Sequence, residues 1–401
     1  MTDIYALAAL WLGLALAAML LSMWLRIATA MSEIIVGTVA QLVIGALVGG
    51  AALGTNETWI KFLAGTGAIL LTFLAGAELD IDVLRTRWKE TTTVGTIAFL
   101  APFLGCAAAA YWLLGWNRGA SWLAGIALST TSVAVVYAVM LEFGFNRTEY
   151  GKVVLAACFV NDLATVIALG LMFAPFTLRT LIFVVGGIGG IAVLPFVTPR
   201  FFRRCGNRPS ELEAKFLLLC LFGFGALAAW ADSEAVLPAY VIGMVLAGTV
   251  GRDHALVRRL RTVTFGLLTP FYFIRAGSFV SVPALAAAPL AFVLLLVAKM
   301  VTKFAGVYPV TRWFASPRRE SLYTTMLMST GLTFGSISAL FGLSHGIVDQ
   351  SQYSFLIAAV IGSAIVPTLV ANAFFLPRHL MPRDEQPDSA APASAPLRER
   401  A

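Results

Sequence analysis

Asp162, Lys299, Lys303 and Arg275 are ionisable residues set inside long apolar runs of a 401-residue chain, and that setting makes them chemically informative. Asp162 follows Asn161 in YGKVVLAACFVNDLATVIALGLMF, about eleven residues from either end of the run, too deep to reach water along its own stem. An ionisable group at the centre of a hydrocarbon layer costs several kcal/mol, so it requires a partner, an aqueous cavity or a task. Two readings stay open on the residues alone. The carboxylate is a structural one paired to another helix, or it binds a cation or proton with Asn161 as a neighbouring oxygen donor. One titratable carboxylate among hard oxygens suits a small cation or a proton better than a large organic solute.

The two lysines stand one helical turn apart, on one face, in LAAAPLAFVLLLVAKMVTKFAGVY. Lys303, closer to the end of its run, reads as snorkelling to the interface. Lys299 lies deeper. A deep lysine and a deep aspartate in one bundle are expected to pair, because either alone is an uncompensated charge. Arg275, in FYFIRAGSFV, reads as lying near the outer end of its run, where it either snorkels or acts. Glu33, Glu78 and Asp80 fall at run ends and read as solvated helix termini.

Two segments are polar without being charged. ALSTTSVAVV holds Ser129, Thr130, Thr131 and Ser132 in succession, and MSTGLTFGSISAL holds Ser329, Thr330, Gly331, Thr333 and Gly335. Small residues of this kind serve close helix packing. They also let a spanning helix break where the freed backbone lines a cavity.

These residues must be held by membrane helices. Hydrophobic residues make up 59% of the chain and charged ones 12%, with a mean hydropathy of +0.86. A soluble domain carries roughly twice that charge, so cytosolic enzymes, nucleic-acid binders and disordered scaffolds are excluded. The four cysteines show no paired spacing and the three histidines lie outside the apolar runs, which argues against a metalloenzyme and against enzymatic activity generally. Spanning helices need about 20 apolar residues. Thirteen are predicted, at 4–25, 33–53, 59–79, 91–114, 119–143, 150–173, 177–198, 214–231, 235–250, 262–280, 285–308, 321–342 and 353–376. The first lacks a basic leader and a cleavage site and reads as a retained helix. With the N-terminus outside, 22 of the 28 Lys and Arg fall in inner loops and the tail and three in outer loops, as the positive-inside rule requires. The net charge of +7 thus belongs to cytoplasmic loops and not to a nucleic-acid surface. The two polar segments lie in the fifth and twelfth spans, seven apart, as expected of two inverted six-helix repeats joined by span seven. Interrupted helices at matching positions of inverted repeats point to a secondary-transporter site.

Several stretches, in order, resemble monovalent cation:proton antiporters. TFLAGAELDIDVLRTRWKETTTVG resembles their third-span region, and ALSTTSVAVVYAVMLEFGFNRTEYGKVVLAACFVNDLATVIALG their fifth and sixth spans. LLTPFYFIRAGSFVSV, LLLVAKMVTKFAG and MSTGLTFGSISALFGL resemble later ones. The likeness covers about residues 26–376 and is strongest to the bacterial Nap-like and Kef-like branch. It implies an all-α polytopic Na+/H+ antiporter fold with crossing broken helices. It implies a membrane domain over 1–378, with a core bundle (about 91–173 and 285–376), a dimerisation bundle (about 4–79 and 214–280) and a linker helix (about 177–198), and a disordered cytoplasmic tail over 379–401. The implied partners are sodium or potassium, protons, the lipid of the inner membrane and a second copy of the chain; no cofactor beyond the transported ions is implied.

By position, the resemblance makes Asp162 the ion- and proton-binding carboxylate, holding the monovalent cation, and Asn161 its neighbour in the ion motif. It puts Ser129, Thr130 and Thr131 at one unwound crossover, where they join Asp162 and Asn161 as ion- and proton-binding residues, and makes Lys299 the salt-bridge partner of Asp162. Ser329, Thr330 and Arg275 are secondary candidates. The implied activity is antiport by an elevator-like motion in the service of pH homeostasis; a Kef-like potassium efflux channel or leak is the alternative. Three departures stand out. Asn-Asp replaces the Asp-Asp of the electrogenic branch, Arg275 stands where an apolar residue is usual, and Phe334 and Gly335 stand where a charged residue is often found. The cytoplasmic nucleotide-binding domain of Kef-like proteins is not expected after Leu376.

Overall fold

Apolar runs of spanning length fold as helices throughout the computed structural model, which describes residues 2–380 apart from 26, 48–51, 80, 146–147, 174–176, 206–210, 232 and 234. The predicted tail beyond Leu380, and Arg26, Asp80, Arg147 and Arg208 of the charge pattern, lie outside the described residues. Among the described residues there is no strand, and eleven helices are long and apolar enough to cross a membrane. The two remaining predicted spans correspond to shorter pieces: α11 (Val236–Leu246), and α12 (His254–Val263) continued through a widened turn at Thr264–Leu268 into α13 (Thr269–Ser278). Helix length therefore supports eleven spans directly. Leu181, Ile188 and Leu219 stand 58%, 67% and 71% exposed, a placement that hydrocarbon accommodates and water does not.

Two packing groups emerge. In one, α5 (Trp88–Trp112) packs on α6 (Arg118–Ser129), α8 (Glu149–Phe173) and α15 (Pro289–Trp313), and α16 (Arg318–Met328), α17 (Thr333–Ser344) and α18 (Gln350–Val370) close around them, with α7 (Val133–Glu142) on α8. In the other, α3 (Thr58–Ala77) packs on α11, and α2 (Thr29–Leu47) on α13, with α1 (Thr2–Leu25), α9 (Leu178–Cys205) and α10 (Leu212–Trp230) around them. Short helices α4 (Ile81–Thr86) and α14 (Val282–Ala287) connect one group to the other.

The second group is held at two backbone crossings. A Cβ on Gly277 would strike the Ile34 carbonyl, and one on Gly243 the Phe73 carbonyl, so only glycine lets these helices approach. This closeness corrects the expectation for Glu33. It lies one turn before Gly37, on the face pressed against α13, and is 3% exposed where a solvated terminus was expected. Glu78 does stand at the rim, paired with Arg261.

Candidate functional site

The two hydroxyl-rich segments are breaks, and they cross. Helix α6 stops at Ser129; Thr130 is extended (φ −61°, ψ 151°) and α7 resumes at Val133. Helix α16 stops at Met328 and α17 resumes at Thr333. The cause is local: serine and threonine hydroxyls satisfy carbonyls that would otherwise continue the helix. Ser129 Oγ donates to Ile126 O at 2.8 Å and Thr130 Oγ1 to Ala127 O at 3.2 Å. Across the crossing, Ser329 Oγ donates to Thr325 O and Thr330 Oγ1 to Leu327 O, each at 2.7 Å. The strands of backbone between the half-helices then bind each other, Ser132 N donating to Thr330 O at 3.1 Å and Thr131 Oγ1 to Met328 O at 2.9 Å.

Asn161 braces this crossing from α8. Its Oδ1 accepts from Thr131 N at 2.9 Å and its Nδ2 donates to Ser129 O at 3.2 Å, so the amide spans the gap where α6 loses its own hydrogen bonds. Both ends of the side chain are thereby engaged with backbone.

Asp162, the next residue, is 1% exposed, and its Oδ1 has no hydrogen-bond partner among the described residues. An orphaned buried carboxylate oxygen is costly unless something else completes its shell. The expected pairing with Lys299 is not formed: among the described residues no ammonium or guanidinium nitrogen lies within 4.0 Å of Asp162. Lys299 Nζ instead donates to Ser363 Oγ at 3.0 Å, and Ser363 Oγ reaches Gly331 O at 3.3 Å in the α16–α17 break. The lysine in electrostatic contact with Asp162 is Lys303. It does not snorkel. It is fully buried, and its Nζ donates to Thr131 Oγ1 at 3.0 Å. One turn of α15, a rise of about 6 Å, decides which break each lysine reaches: Lys303 the α6–α7 break beside Asp162, Lys299 the α16–α17 break. A Cβ at Gly331 would crowd Lys299 Nζ and, behind it, Thr130 Oγ1 and Thr130 O, so glycine leaves the lysine its place there.

A cavity of about 670 Å³ opens between the two packing groups, with Glu78, Lys152, Arg252 and Arg258 towards its mouth. Its lining runs inward to Val133 and Phe159, the first residue of α7 and a residue three before Asp162. Tyr240 lies at this inner end. From α11 it donates to Phe159 O at 3.0 Å, stacks edge-on against Phe334 of α17 and interacts electrostatically with Asp162. Sequence reasoning passed over Tyr240, one aromatic in an apolar run; only its pairing with two helices of the other group marks it. Arg275 lies apart from the crossing: its Nε donates to Thr55 O at 2.9 Å and its guanidinium stands 5.0 Å from the Phe279 ring centre.

Among the described residues no three His, Cys, Asp or Glu side chains cluster as for a multivalent metal. The crossing offers one carboxylate, several hydroxyls and backbone carbonyls, a donor set suited to a hard cation or a proton.

Residues 11–375 match the family described as sodium/hydrogen exchanger, transmembrane. The chain is similar to cation/H+ antiporter 18 of Arabidopsis thaliana, 24% identical over 374 residues, which cover 84% of this chain and 46% of that protein. It spans about half the length of the Arabidopsis antiporters it matches. It is 22% identical over 352 residues to the Na+/H+-K+ antiporter GerN of Bacillus cereus, covering 83% of this chain and 89% of GerN. The sodium proton antiporter MjNhaP1 of Methanocaldococcus jannaschii has the same fold, with a TM-score of 0.70 at 15% identity over 93% of this chain and 96% of MjNhaP1.

Proposed function

The chain belongs to the transmembrane sodium/hydrogen exchanger family, a family of transporters rather than enzymes, and on that premise we propose that it exchanges sodium or potassium for protons at Asp162. The observation that carries this reading is the orphaned oxygen of a buried carboxylate placed just beyond the floor of an aqueous-sized cavity. A charged carboxylate there needs a cation beside it, and a neutral one needs a proton. The two ligands therefore compete for one site, and their competition is the coupling.

The helices around the crossing form the moving core and the α2–α3–α11–α13 group the dimerisation scaffold. Asn161 and the hydroxyls of Ser129, Thr130 and Thr131 hold the break in shape, and Ser329 and Thr330 do so for its counterpart. The cavity faces the end bearing Lys152 and Arg258, which the distribution of basic residues assigns to the cytoplasm with the N-terminus outside. Its lining ends at Phe159, against which Tyr240 is bonded, and this favours alternating access over the channel alternative.

The test is reconstitution into liposomes with a trapped pH dye and successive chloride salts. Saturable, cation-dependent proton flux is expected, and Asp162→Asn, which keeps shape but not charge, is expected to abolish it while the protein stays folded. Robust flux in purified Asp162→Asn overturns the assignment. Cysteines introduced at Arg259 and Arg118 test the orientation, the first labelling only from the cytoplasm and the second only from outside.

A further inference from the structure

At the end of the bundle opposite the cavity, α5 and the first turn of α6 enclose a second hollow, a groove of about 590 Å³. The ends are told apart by α5 itself. Arg87, just before its start, is bonded to Glu149 at the start of α8, beside the cavity-lining Lys152, whereas the groove lies along its last turns, from Leu104 to Trp112. The eight residue steps of helix between them give the groove a length of about 12 Å.

Its construction is unlike that of an ordinary lipid-facing helix surface. The floor is of small residues, Ala107, Ala108 and Ser121. One wall is Trp122, which is not free to swing: its ring stacks on Phe103 at 5.3 Å and Phe103 stacks on Phe99 at 5.2 Å. The other end carries Tyr111 and Trp112, the latter 77% exposed, at the level where aromatic side chains meet lipid headgroups. Leu104 and Leu100, 54% and 39% exposed, continue the apolar face towards the bilayer centre. A single charge stands over this groove. Arg118 is exposed, no acidic residue lines the groove with it, and no carboxylate lies within 4.0 Å of it among the described residues.

We propose that this groove is a binding site for one anionic phospholipid, its phosphate on Arg118 and one acyl chain along Leu104, Ala107 and Ala108. Apolar floor, aromatic collar and lone cation follow one another in the order of chain, glycerol and headgroup. A guanidinium pairs well with a phosphate oxygen pair, and the absence of a lining carboxylate leaves the positive charge uncompensated in favour of a net-negative headgroup over a zwitterionic one. The volume lies within the range of pockets that enclose a small apolar ligand. The proposal needs the membrane reading of the chain and nothing of the exchange reaction, and every lining residue belongs to the packing group that holds Asp162.

The experiment measures lipid binding, not transport. The purified full chain in mild detergent is titrated with dioleoylphosphatidylglycerol or dioleoylphosphatidylcholine and followed by native mass spectrometry and thermal shift. One tightly retained phosphatidylglycerol, bound about fivefold more strongly than phosphatidylcholine, is expected from one cation near the headgroup. Arg118→Gln should erase that preference while leaving the lipid-free melting temperature unchanged, since the side chain is exposed. Trp112→Ser should weaken both lipids alike, and glycerol 3-phosphate should give no shift. Equal binding of the two lipids by the unaltered chain, or a preference that survives Arg118→Gln, overturns the proposal. So does a shift produced by glycerol 3-phosphate alone, which would mark a free-anion site.

Discussion

Lys303 Nζ rests 3.0 Å from Thr131 Oγ1, so the ammonium that interacts electrostatically with Asp162 is held on the crossover and not on the carboxylate. The same hydroxyl donates to Met328 O, which orients its lone pairs towards the lysine. Thr131 thus keeps Lys303 near the proposed ion site without filling it. Thr131→Val removes the acceptor and leaves Asp162 as the neighbouring group able to take the ammonium. The expected result is an apparent KM for the cation raised about tenfold, the worth of a hydrogen bond to a charged group, with kcat changed less. Measured by flux against cation concentration, an unchanged KM would show that the hydroxyl does not position the lysine.

The breaks that carry this chemistry were legible in the sequence. Ser129 to Ser132 and Ser329 to Gly335 are polar where hydrocarbon demands apolar residues, and Asp162 is charged where a charge is costly. The lysine assignment was not legible. Lys299 and Lys303 share a face of α15, and only the depth at which the two broken helices cross decides that the first meets Ser363 and the second Thr131. Glu33 and Tyr240 escaped for the same kind of reason. The surroundings of Glu33 are set by the helix crossing at Gly37 and those of Tyr240 by Phe159 and Phe334 of the other group, and contacts between distant segments leave no periodic signature along either one.

Asn161 offers a contrast between a ligand and a brace. A residue that only lends an oxygen to the cation would, when removed, weaken binding and leave the fold alone. Asn161→Ala instead deletes two hydrogen bonds to buried backbone in the α6–α7 gap, at about 1–3 kcal/mol for each stranded group. Its melting temperature is expected to fall together with its exchange rate. Thermal denaturation in detergent decides the matter; a variant as stable as the parent but with poorer cation affinity would return Asn161 to the role of ligand alone.

Two tyrosine hydroxyls cross between the packing groups. Tyr240 of α11 donates to Phe159 O of α8, and Tyr353 of α18 donates to Ala276 O of α13 at 2.6 Å. Ser354 Oγ, which accepts from Ser281 N at 2.7 Å, adds to the second contact. If the core slides against the scaffold these bonds must break as it moves. Tyr353→Phe removes one buried bond at little cost in volume, and it is expected to shift the population by several-fold towards the state open on the Tyr353 side. A cysteine placed at Ser278, 5% exposed and shielded here, should then be labelled faster by a membrane-impermeant maleimide added outside. Equal labelling rates in the two backgrounds would show that Tyr353 does not hold this state closed.

The stoichiometry follows from counting charges at the crossing. One buried carboxylate, Asp162, and two buried lysines stand at the crossing, Lys303 beside the carboxylate and Lys299 at the other break, and neither lysine is bonded to it. If both lysines keep their protons throughout, Asp162 carries one cation one way and one proton the other, and no net charge crosses. Were Lys303 to release a proton when the cation arrives, a second proton would travel and the cycle would generate current. Its hydrogen bond to Thr131 favours the first case, because the ammonium retains a partner whether Asp162 holds a metal ion or a proton. Exchange is therefore expected to be electroneutral. The measurement is sodium-driven proton flux in liposomes clamped by valinomycin and potassium gradients of either sign. A rate independent of the imposed potential is expected. A rate that accelerates with one sign and slows with the other would show that a second charge moves, and Lys303→Gln should then remove the voltage dependence where Lys299→Gln leaves it.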